Sequence, residues 1–495
     1  MDNKIILEGF DFGNEAGDDV PAEELTTYFV EQSMFKEFTN PKNKLCVATA
    51  KKGVGKSALL QWISVSVKEK TSNDLIIKVR GSEITRDSFH LTNELDNPND
   101  YIRDWMIRLC ALVNREIAKT INFAITDDQI TIVESAELNG YKEKNLVGCL
   151  VARFGGILTK LNLNKQEITD HLEILKRIEN PQVWILIDDL DATFQNTDKE
   201  CLALSTFFSA CRYILQDIKG VNLRVTMRSD VWPTIRRFDE SLDKLEQYVE
   251  EITWSEKDFR RLLFRRIESQ SFEVPFNLPK KQSFFSEEQF EEKVIGLVFV
   301  PKVKWGDKDV YSYKVIHTLS YQRPRWAIQL SKLAQKSALR KTSRLISKED
   351  IDNVWGEYGA KRISDLVAEH KHQCKDIEEL VNAFRGEDRL VNRDELFKLV
   401  NNKILNHLNV FIDSKRASSP REVSRFLFRV GFLVARSEET GAGYHHYSIR
   451  EMPDLLSSRT DNDFNMKWEI HPCYRQALDI KKINRSQRMK LGLSH

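Results

Sequence analysis

The stretch CVATAKKGVGKSALLQW, beginning at Cys46, constrains this chain more than any other. The apolar run LCVATA reads as a buried strand, a turn bearing lysines and glycines follows it, and SALLQWISVSV continues as an amphipathic helix. In that order, the backbone N–H groups of the first helical turn lack partners in the helix and form a nest for an anion at the strand's carboxyl end. Gly53 and Gly55 flank the tight part of the turn, Lys56 supplies a cation and Ser57 a hydroxyl. This is the pattern of a loop that cradles nucleotide phosphates, with the lysine on the β and γ groups and the hydroxyl on Mg²⁺. Its candidate binding residues are Lys52, Gly53, Val54, Gly55, Lys56, Ser57 and Ala58. Ala50 stands where the first glycine of the pattern usually falls. Alanine suffices there if φ is negative, whereas Gly55 is expected to meet the phosphates where a Cβ would collide.

A loop of this kind needs a metal-holding acid, and PQVWILIDDLDATF supplies three candidates. Its apolar strand ends in Asp188 and Asp189, with Asp191 following Leu190. Mg²⁺ prefers hard oxygen ligands and keeps several waters, so an acid at a strand's carboxyl end suits it. Asp188 is the candidate metal residue together with Ser57, and Asp189 the candidate general base toward the attacking water. The alternative is that the three acids only cap a strand and solubilise a turn. A third strand, VNLRVTMRSDVW, ends in Arg228, Ser229 and Asp230 at the edge where ligands bind in open parallel α/β sheets. Arg228 either neutralises charge on phosphoryl oxygens or is a surface residue paired with Asp230.

With 495 residues the chain is long enough for two or three domains. It is 41% apolar and 30% charged, and no stretch has the apolar length of a membrane span. The start, MDNKIILEGFDFGNEAGDDV, is acidic where a secretory signal is basic and apolar. Seven scattered cysteines without C-x-x-C spacing fit reduced thiols and a cytoplasmic location. The formal charge of +1 exerts no global pull toward nucleic acid, so any such binding needs a local patch.

Five segments occur in order: KKGVGKSALL, WILIDDLDATF, RVTMRSDVW, ITWSEKDFRRLLFRRI and YQRPRWAIQLSKLAQ. In this the chain resembles the additional-strand P-loop ATPases of the AAA+ and STAND type, which include origin-recognition-like and KAP-like proteins, and a poorly characterised bacterial group among them. The resemblance spans roughly residues 8 to 480, although only the loop and the acid-bearing strand are specific. It implies ATP and Mg²⁺ as ligands, ATP hydrolysis and a homo-oligomer. It also implies a nucleotide-contacting arginine where a lid helix opens, Arg325 first and Arg323 second; Pro324 suits a first helical turn. Arg236 and Arg237 fall where AAA+ proteins carry an arginine finger, and two adjacent arginines also serve as surface charge. The pair Asp188-Asp189 replaces the usual Asp-Glu, as in STAND switches, and implies slow turnover.

The expected fold is α/β: a parallel-sheet P-loop NTPase core with a helical lid and a C-terminal winged-helix domain. Residues 1–44 form a lead-in, 45–254 the core with a helical insertion at about 85–180, 255–376 the lid, 377–480 the winged-helix region and 481–495 a basic tail. The core strands are KLCVATA, DLIIKVRG, VWILIDD, LRVTMR and YVEEITW, and VPKVKWGDKDVYSY interrupts the lid helices. The insertion around Trp105 either covers the nucleotide or meets a partner. In SSPREVSRFLFRVGFLVARSEETGAGYHHYSI, Val423, Phe426, Leu427 and Val430 make an apolar helix face. Arg421, Arg425 and Arg429 line the opposite face, which is a solvated surface, a nucleic-acid contact or a protein contact. His370, His372 and Cys374 lie close together, but on what reads as a helix end rather than a metal site. The loop and acids suggest an ATP-binding, slowly hydrolysing switch, and the resemblance implies that it self-assembles and controls an effector protein, with a role in bacterial stress or phage defence. The alternatives are a DNA-engaging origin-recognition-like ATPase and a non-hydrolysing ATP-binding scaffold.

Overall fold

The computed structural model describes residues 7–71, 74–85, 97–119, 182–217, 220–270, 286–306, 308–439, 443–457 and 466–482. The chain divides into two compact units, Ala16–Trp254 and a second made of Met1–Glu15 with Ser255–His495.

The first unit is built on five strands, β1 (Leu45–Ala50), β2 (Leu75–Arg80), β3 (Val183–Asp188), β4 (Val221–Arg228) and β5 (Val249–Glu251). They pair in parallel in the order β2-β3-β4-β1-β5. β4 thus lies between the strand that leads into the glycine loop and the strand that carries the acids, in a parallel α/β core whose loop and acids leave the sheet at one edge. All of β1 and nearly all of β3 and β4 are buried. Strands covered on both faces read as continuous apolar runs, as β1 and β3 do, whereas β4 alternates and buries Asn222, Arg224 and Thr226 beside its apolar residues. β2, at the sheet edge, exposes Lys78 and Arg80.

Around the sheet lie α1 (Lys56–Lys70), α2 (Pro98–Lys119) and α3 (Asp198–Asp217). Trp105 on α2 is fully buried, meets Phe207 of α3 edge-on at 5.1 Å and donates its indole N–H to the Ala203 carbonyl at 2.7 Å. Trp105 itself therefore belongs to the core of this unit. Most of the insertion expected at about 85–180 lies outside the described residues. The segment before β1 is tied down by Arg224, a fully buried guanidinium on β4 that donates to the carbonyls of Phe38 at 2.5 Å and Asn40 at 3.0 Å. Burial pushes that guanidinium down to about 10. Phe29 of the same segment stacks on Trp62 of α1, with ring centroids 5.3 Å apart.

The second unit begins with helices α4 (Glu256–Gln270) and α5 (Glu287–Ile295), then a hairpin of β6 (Lys302–Trp305) and β7 (Lys308–Tyr311). Helices α6 (Ser312–Leu319), α7 (Pro324–Arg340) and α8 (Lys348–His370) follow. The stretch read as a break between helices is this hairpin; Gly306 takes φ +63 at its turn, and Trp305 stacks on Trp355 of α8 at 5.5 Å. Capping boxes at Ser286 and Ser347 start α5 and α8. Gln335 of α7 donates to the carbonyls of Leu7 and Phe10, holding the first described residues to this unit.

Farther on, β8 (Leu390–Asn392), α9 (Arg393–Val400), a small hairpin of β9 (Phe411–Ile412) and β10 (Lys415–Arg416), α10 (Pro420–Arg429), β11 (Leu433–Glu439), β12 (Gly443–Tyr447) and β13 (Lys467–Ile470) complete the unit. An antiparallel sheet runs β12-β11-β13-β8. The Ser419 hydroxyl caps α10, and Val423, Phe426, Leu427 and Val430 are buried as the pattern requires. β8 and β13 have no counterpart in the sequence reading. Of the histidine and cysteine group after α8, His370 and Cys374 are buried, and no metal-holding cluster occurs among the described residues.

This sheet encloses one carboxylate, Glu469 on β13, with no exposure. Arg436 and Arg475 reach it at 2.9 Å, Arg389 at 3.2 Å and His446 at 2.5 Å. Burial alone would raise its pKa, but Arg475, His446 and Arg389 overcome that and hold it well below the ordinary carboxylate range. Because the folded value is depressed, the network's stabilisation is fully present above the ordinary glutamate range and is lost as pH falls through the depressed folded value. Glu469→Gln is therefore expected to destabilise this unit by about 3 kcal/mol at neutral pH. The gap to wild type should narrow as the wild-type carboxylate protonates, which urea unfolding at neutral and acidic pH would reveal.

Candidate nucleotide-binding site

At the carboxyl edge of the parallel sheet, the loop after β1, the acid turn after β3 and the end of β4 come together. Ala50 is the last residue of β1, fully buried in extended backbone opposite Arg228. Nothing in that conformation requires glycine. Gly53 and Gly55 take φ of +80 and +118. A Cβ added at Gly55 would meet no protein atom within 4 Å, so within the protein it is the left-handed backbone that demands glycine there. Gly55 is the N-cap of α1 and has no side chain to satisfy the N–H groups of the first turn. The indole N–H of Trp254 donates to the Val54 carbonyl at 2.8 Å and anchors the loop from beneath. Lys52 is exposed. Ala58, on the first turn of α1, lies so close to Gly17 that a Cβ there would come within 2.8 Å of its own.

Each acid has its own partner. Asp188 accepts hydrogen bonds from the hydroxyls of Ser57 and of Thr226, the latter at 2.6 Å. Burial pushes its carboxyl above the usual range, against those hydrogen bonds and the Lys56 charge, which pull it down. Asp189, half exposed and in the left-handed region at φ +46, pairs with the buried Lys56 ammonium at 3.2 Å. Asp191 is buried and accepts from the Arg228 Nε at 2.7 Å and the Arg228 backbone N–H at 3.2 Å. The expected pairing of Arg228 with Asp230 is a weaker contact at 3.9 Å, and Asp191 is the principal partner.

The structure thus brings Lys56, Ser57, Asp188, Asp189 and Arg228 together within the first unit. Arg325 lies in the second unit, half-buried on the first turn of α7. Arg323, the second choice, is buried in that unit, paired with Glu369 at 2.7 Å and stacked over Trp326 at 4.2 Å. Those contacts make it a packing residue. Arg236 pairs with Asp243 at 2.9 Å and with Glu246, and Arg237 is exposed. Of the C-terminal stripe, Arg429 pairs with Asp413 at 2.8 Å, Arg421 donates to the Ser457 carbonyl at 3.3 Å and Arg425 is exposed.

Thr226, Trp254 and Gly81 escaped the sequence reading, and Asp191, read there as one of three acids, was given no role of its own. Gly81, directly after β2, lies so close to the acid turn that a Cβ would lie 2.3 Å from the Asp189 carbonyl oxygen and 2.4 Å from the Leu190 Cα. A glycine at a strand end is the one sequence signal that pointed to such a close approach.

No protein-family model matches this chain. No curated protein matches it. Among solved structures it is similar to the Aeropyrum pernix ORC2 protein in ADPNP–ADP complexes, at 11% identity and a TM-score of 0.41 over 88% of this chain and 86% of that one. It is also similar to Cdc6p from Pyrobaculum aerophilum, at 10% identity and 0.30 over 95% and 98% of the two chains. The Thermotoga maritima RuvB Holliday junction branch migration motor follows, at 12% identity and 0.30 over 85% and 93%. At these identities and scores no activity, ligand or partner passes from those proteins to this chain. No described helix is long and apolar enough to cross a membrane.

Three glycine and alanine substitutions separate backbone demand from packing. Ala50→Gly is expected to cost about 1 kcal/mol of stability and to leave ATP affinity unchanged. Gly55→Ala should strain the loop and weaken ATP binding with little room for relief. Gly81→Ala should destabilise the first unit by about 1–3 kcal/mol, because the Asp189–Leu190 backbone must move. Urea unfolding beside equilibrium nucleotide binding measures all three.

Proposed function

We propose that this chain is an AAA+-like P-loop ATPase that binds Mg²⁺ and ATP and hydrolyses the β–γ phosphoanhydride slowly. The observation that carries the reading is the convergence of Lys56, Ser57, Asp188 and Asp189 on one sheet edge, beside a helix N-terminus free of a side-chain cap. The donor set fits the ligands. Backbone N–H groups from Gly53 to Ala58 and the Lys56 ammonium suit a polyphosphate, and the hard oxygens of Ser57 and Asp188 suit a hydrated Mg²⁺.

When bound, the metal would neutralise charge on the phosphate oxygens. Lys56 would hold the β and γ groups, which requires its ammonium to exchange Asp189 for phosphate or to share itself between them. Asp189 is exposed enough to accept a proton from an attacking water. Its carboxylate is one methylene shorter than the glutamate of fast motors and is engaged by Lys56, and both features support slow turnover. Arg228, held by Asp191 at the end of β4, is suited to sensing charge on the phosphates, and Arg325 is proposed for the same role from the lid.

The sheet after α10 supports a winged-helix reading of the C-terminal region, with β11 and β12 as the wing. Self-assembly, control of an effector protein and a place in bacterial stress or phage defence enter through the resemblance to AAA+ and STAND switches. The DNA-engaging alternative stands beside this reading: Arg425 is exposed, and the Arg429–Asp413 pair is a surface contact of the kind a phosphate could replace.

Lys56→Ala is expected to lower ATP affinity by about two powers of ten. Asp189→Asn should preserve binding and lower hydrolysis by about two powers of ten. Labelled-nucleotide titration and phosphate release measure these effects. Unchanged affinity in folded Lys56→Ala would refute the site, and tight ATP binding by wild type without phosphate release would select the scaffold reading.

A further inference from the structure

The whole acid turn hangs from one residue of the neighbouring strand. Thr226, fully buried on β4, donates its hydroxyl to Asp188 Oδ1 at 2.6 Å and accepts the Asp189 backbone N–H on the same hydroxyl at 3.0 Å. Its carbonyl accepts the Leu190 N–H at 3.1 Å. Three consecutive residues of the turn are therefore bound to Thr226. Two of these bonds belong to the hydroxyl, so replacing it with a methyl leaves one buried carboxylate oxygen and one buried N–H short of a partner.

We propose that Thr226 is the positioning residue of this site, turning the Asp188 carboxylate toward Ser57 and the metal while holding Asp189 in its left-handed backbone conformation. The geometry gives the reason. A carboxylate has two oxygens on a freely turning bond, and a donor that occupies Oδ1 from the β4 side leaves the other oxygen to the loop side. Asp tolerates left-handed backbone better than most residues but at some strain, and a hydrogen bond to the Asp189 N–H keeps it there. Gly81 presses on the same turn from β2, so the turn is bonded from one side and confined from the other. Such outer partners of a metal-holding carboxylate typically control metal affinity by about 10- to 100-fold. The bland alternative is a strand threonine that merely satisfies its hydroxyl, in which case its removal would affect stability alone.

This inference rests on the proposed ATPase reading, and the test separates the two. Binding of a fluorescent ATP analogue is titrated with Mg²⁺ and with EDTA for wild type, Thr226→Val and Thr226→Ser, each checked for folding by circular dichroism and urea unfolding. Thr226→Val is expected to weaken Mg²⁺-dependent binding by about tenfold or more while metal-free binding stays within about twofold. Thr226→Ser, which keeps the hydroxyl, should restore most of the loss. Phosphate release at saturating Mg²⁺ and ATP should remain reduced in Thr226→Val, because Asp189 is displaced as well. A wild-type Mg²⁺ dependence in folded Thr226→Val, equal losses with and without metal, or a Ser variant as defective as Val would overturn the positioning role while leaving the ATPase reading intact. If Thr226→Val does not fold, Thr226→Cys, whose thiol is a weaker donor and acceptor at the same place, decides the matter: a loss of about threefold or more confined to Mg²⁺-dependent binding supports the role, and wild-type Mg²⁺ dependence overturns it. Absence of nucleotide binding by wild type would overturn both.

Discussion

β4 pairs with β1 on one side and with β3 on the other, and the candidate site depends on that double register. Val225 faces Val47 across one pairing and Ile187 across the other. One residue farther along, Thr226 meets Asp188, and two farther still Arg228 stands opposite Ala50. Because successive strand side chains point to opposite faces, a one-residue slip of β4 would turn Thr226 away from the acids. What forbids the slip is the alternation along β4, whose Val221, Leu223, Val225 and Met227 share one buried face while Asn222, Arg224 and Thr226 share the other, so that a slip would exchange apolar for polar side chains on both. Core packing thus sets the alignment of polar groups at the edge.

At that edge, charge is distributed rather than pooled. Three carboxylates within four residues would repel one another if left together, yet each is assigned a separate counter-group: hydroxyls for Asp188, an ammonium for Asp189 and a guanidinium for Asp191. The most buried acid, Asp191, has the strongest partner in a charge-assisted contact to Arg228. Asp188 is left with neutral donors and a raised pKa, as suits a group that would meet a dication. Asp189, the most exposed, holds Lys56, a cation that a phosphate would also want. Local backbone strain at φ +46 accompanies that arrangement, and strain of this kind persists only where surrounding bonds over-determine it.

The second unit solves a similar problem in the opposite way, gathering three arginines and a histidine around the single buried Glu469. Such a network joins β8, β11, β12 and β13 through side chains as well as through their ladders. It explains why arginines that look like surface charge in sequence, Arg389, Arg436 and Arg475, are partly or wholly internal. The stripe on α10 shows the same tendency, since two of its three arginines are engaged within the chain.

The sequence by itself determined the elements and the identity of the candidate loop. The five core strands, the helix after the loop, the helix beginning at Pro324 and the apolar face of α10 were all legible, because each is a local pattern of burial, capping or turn chemistry. So was the pairing of a glycine loop with an acid-ended strand. Strand order was not legible: nothing within LRVTMR says that it inserts between β1 and β3. Thr226 and Gly81 were invisible for the same reason, since their importance comes from atoms 37 and 108 positions away in the chain. Asp191 could not be told from its neighbours until the sheet brought Arg228 beside it. β8 and β13 are short and lie far apart in sequence, so only their pairing in space makes them strands. Local periodicity depends on neighbours along the chain, whereas hydrogen-bond partners and close backbone approaches exist only after distant segments are packed together, and that step belonged to the tertiary structure.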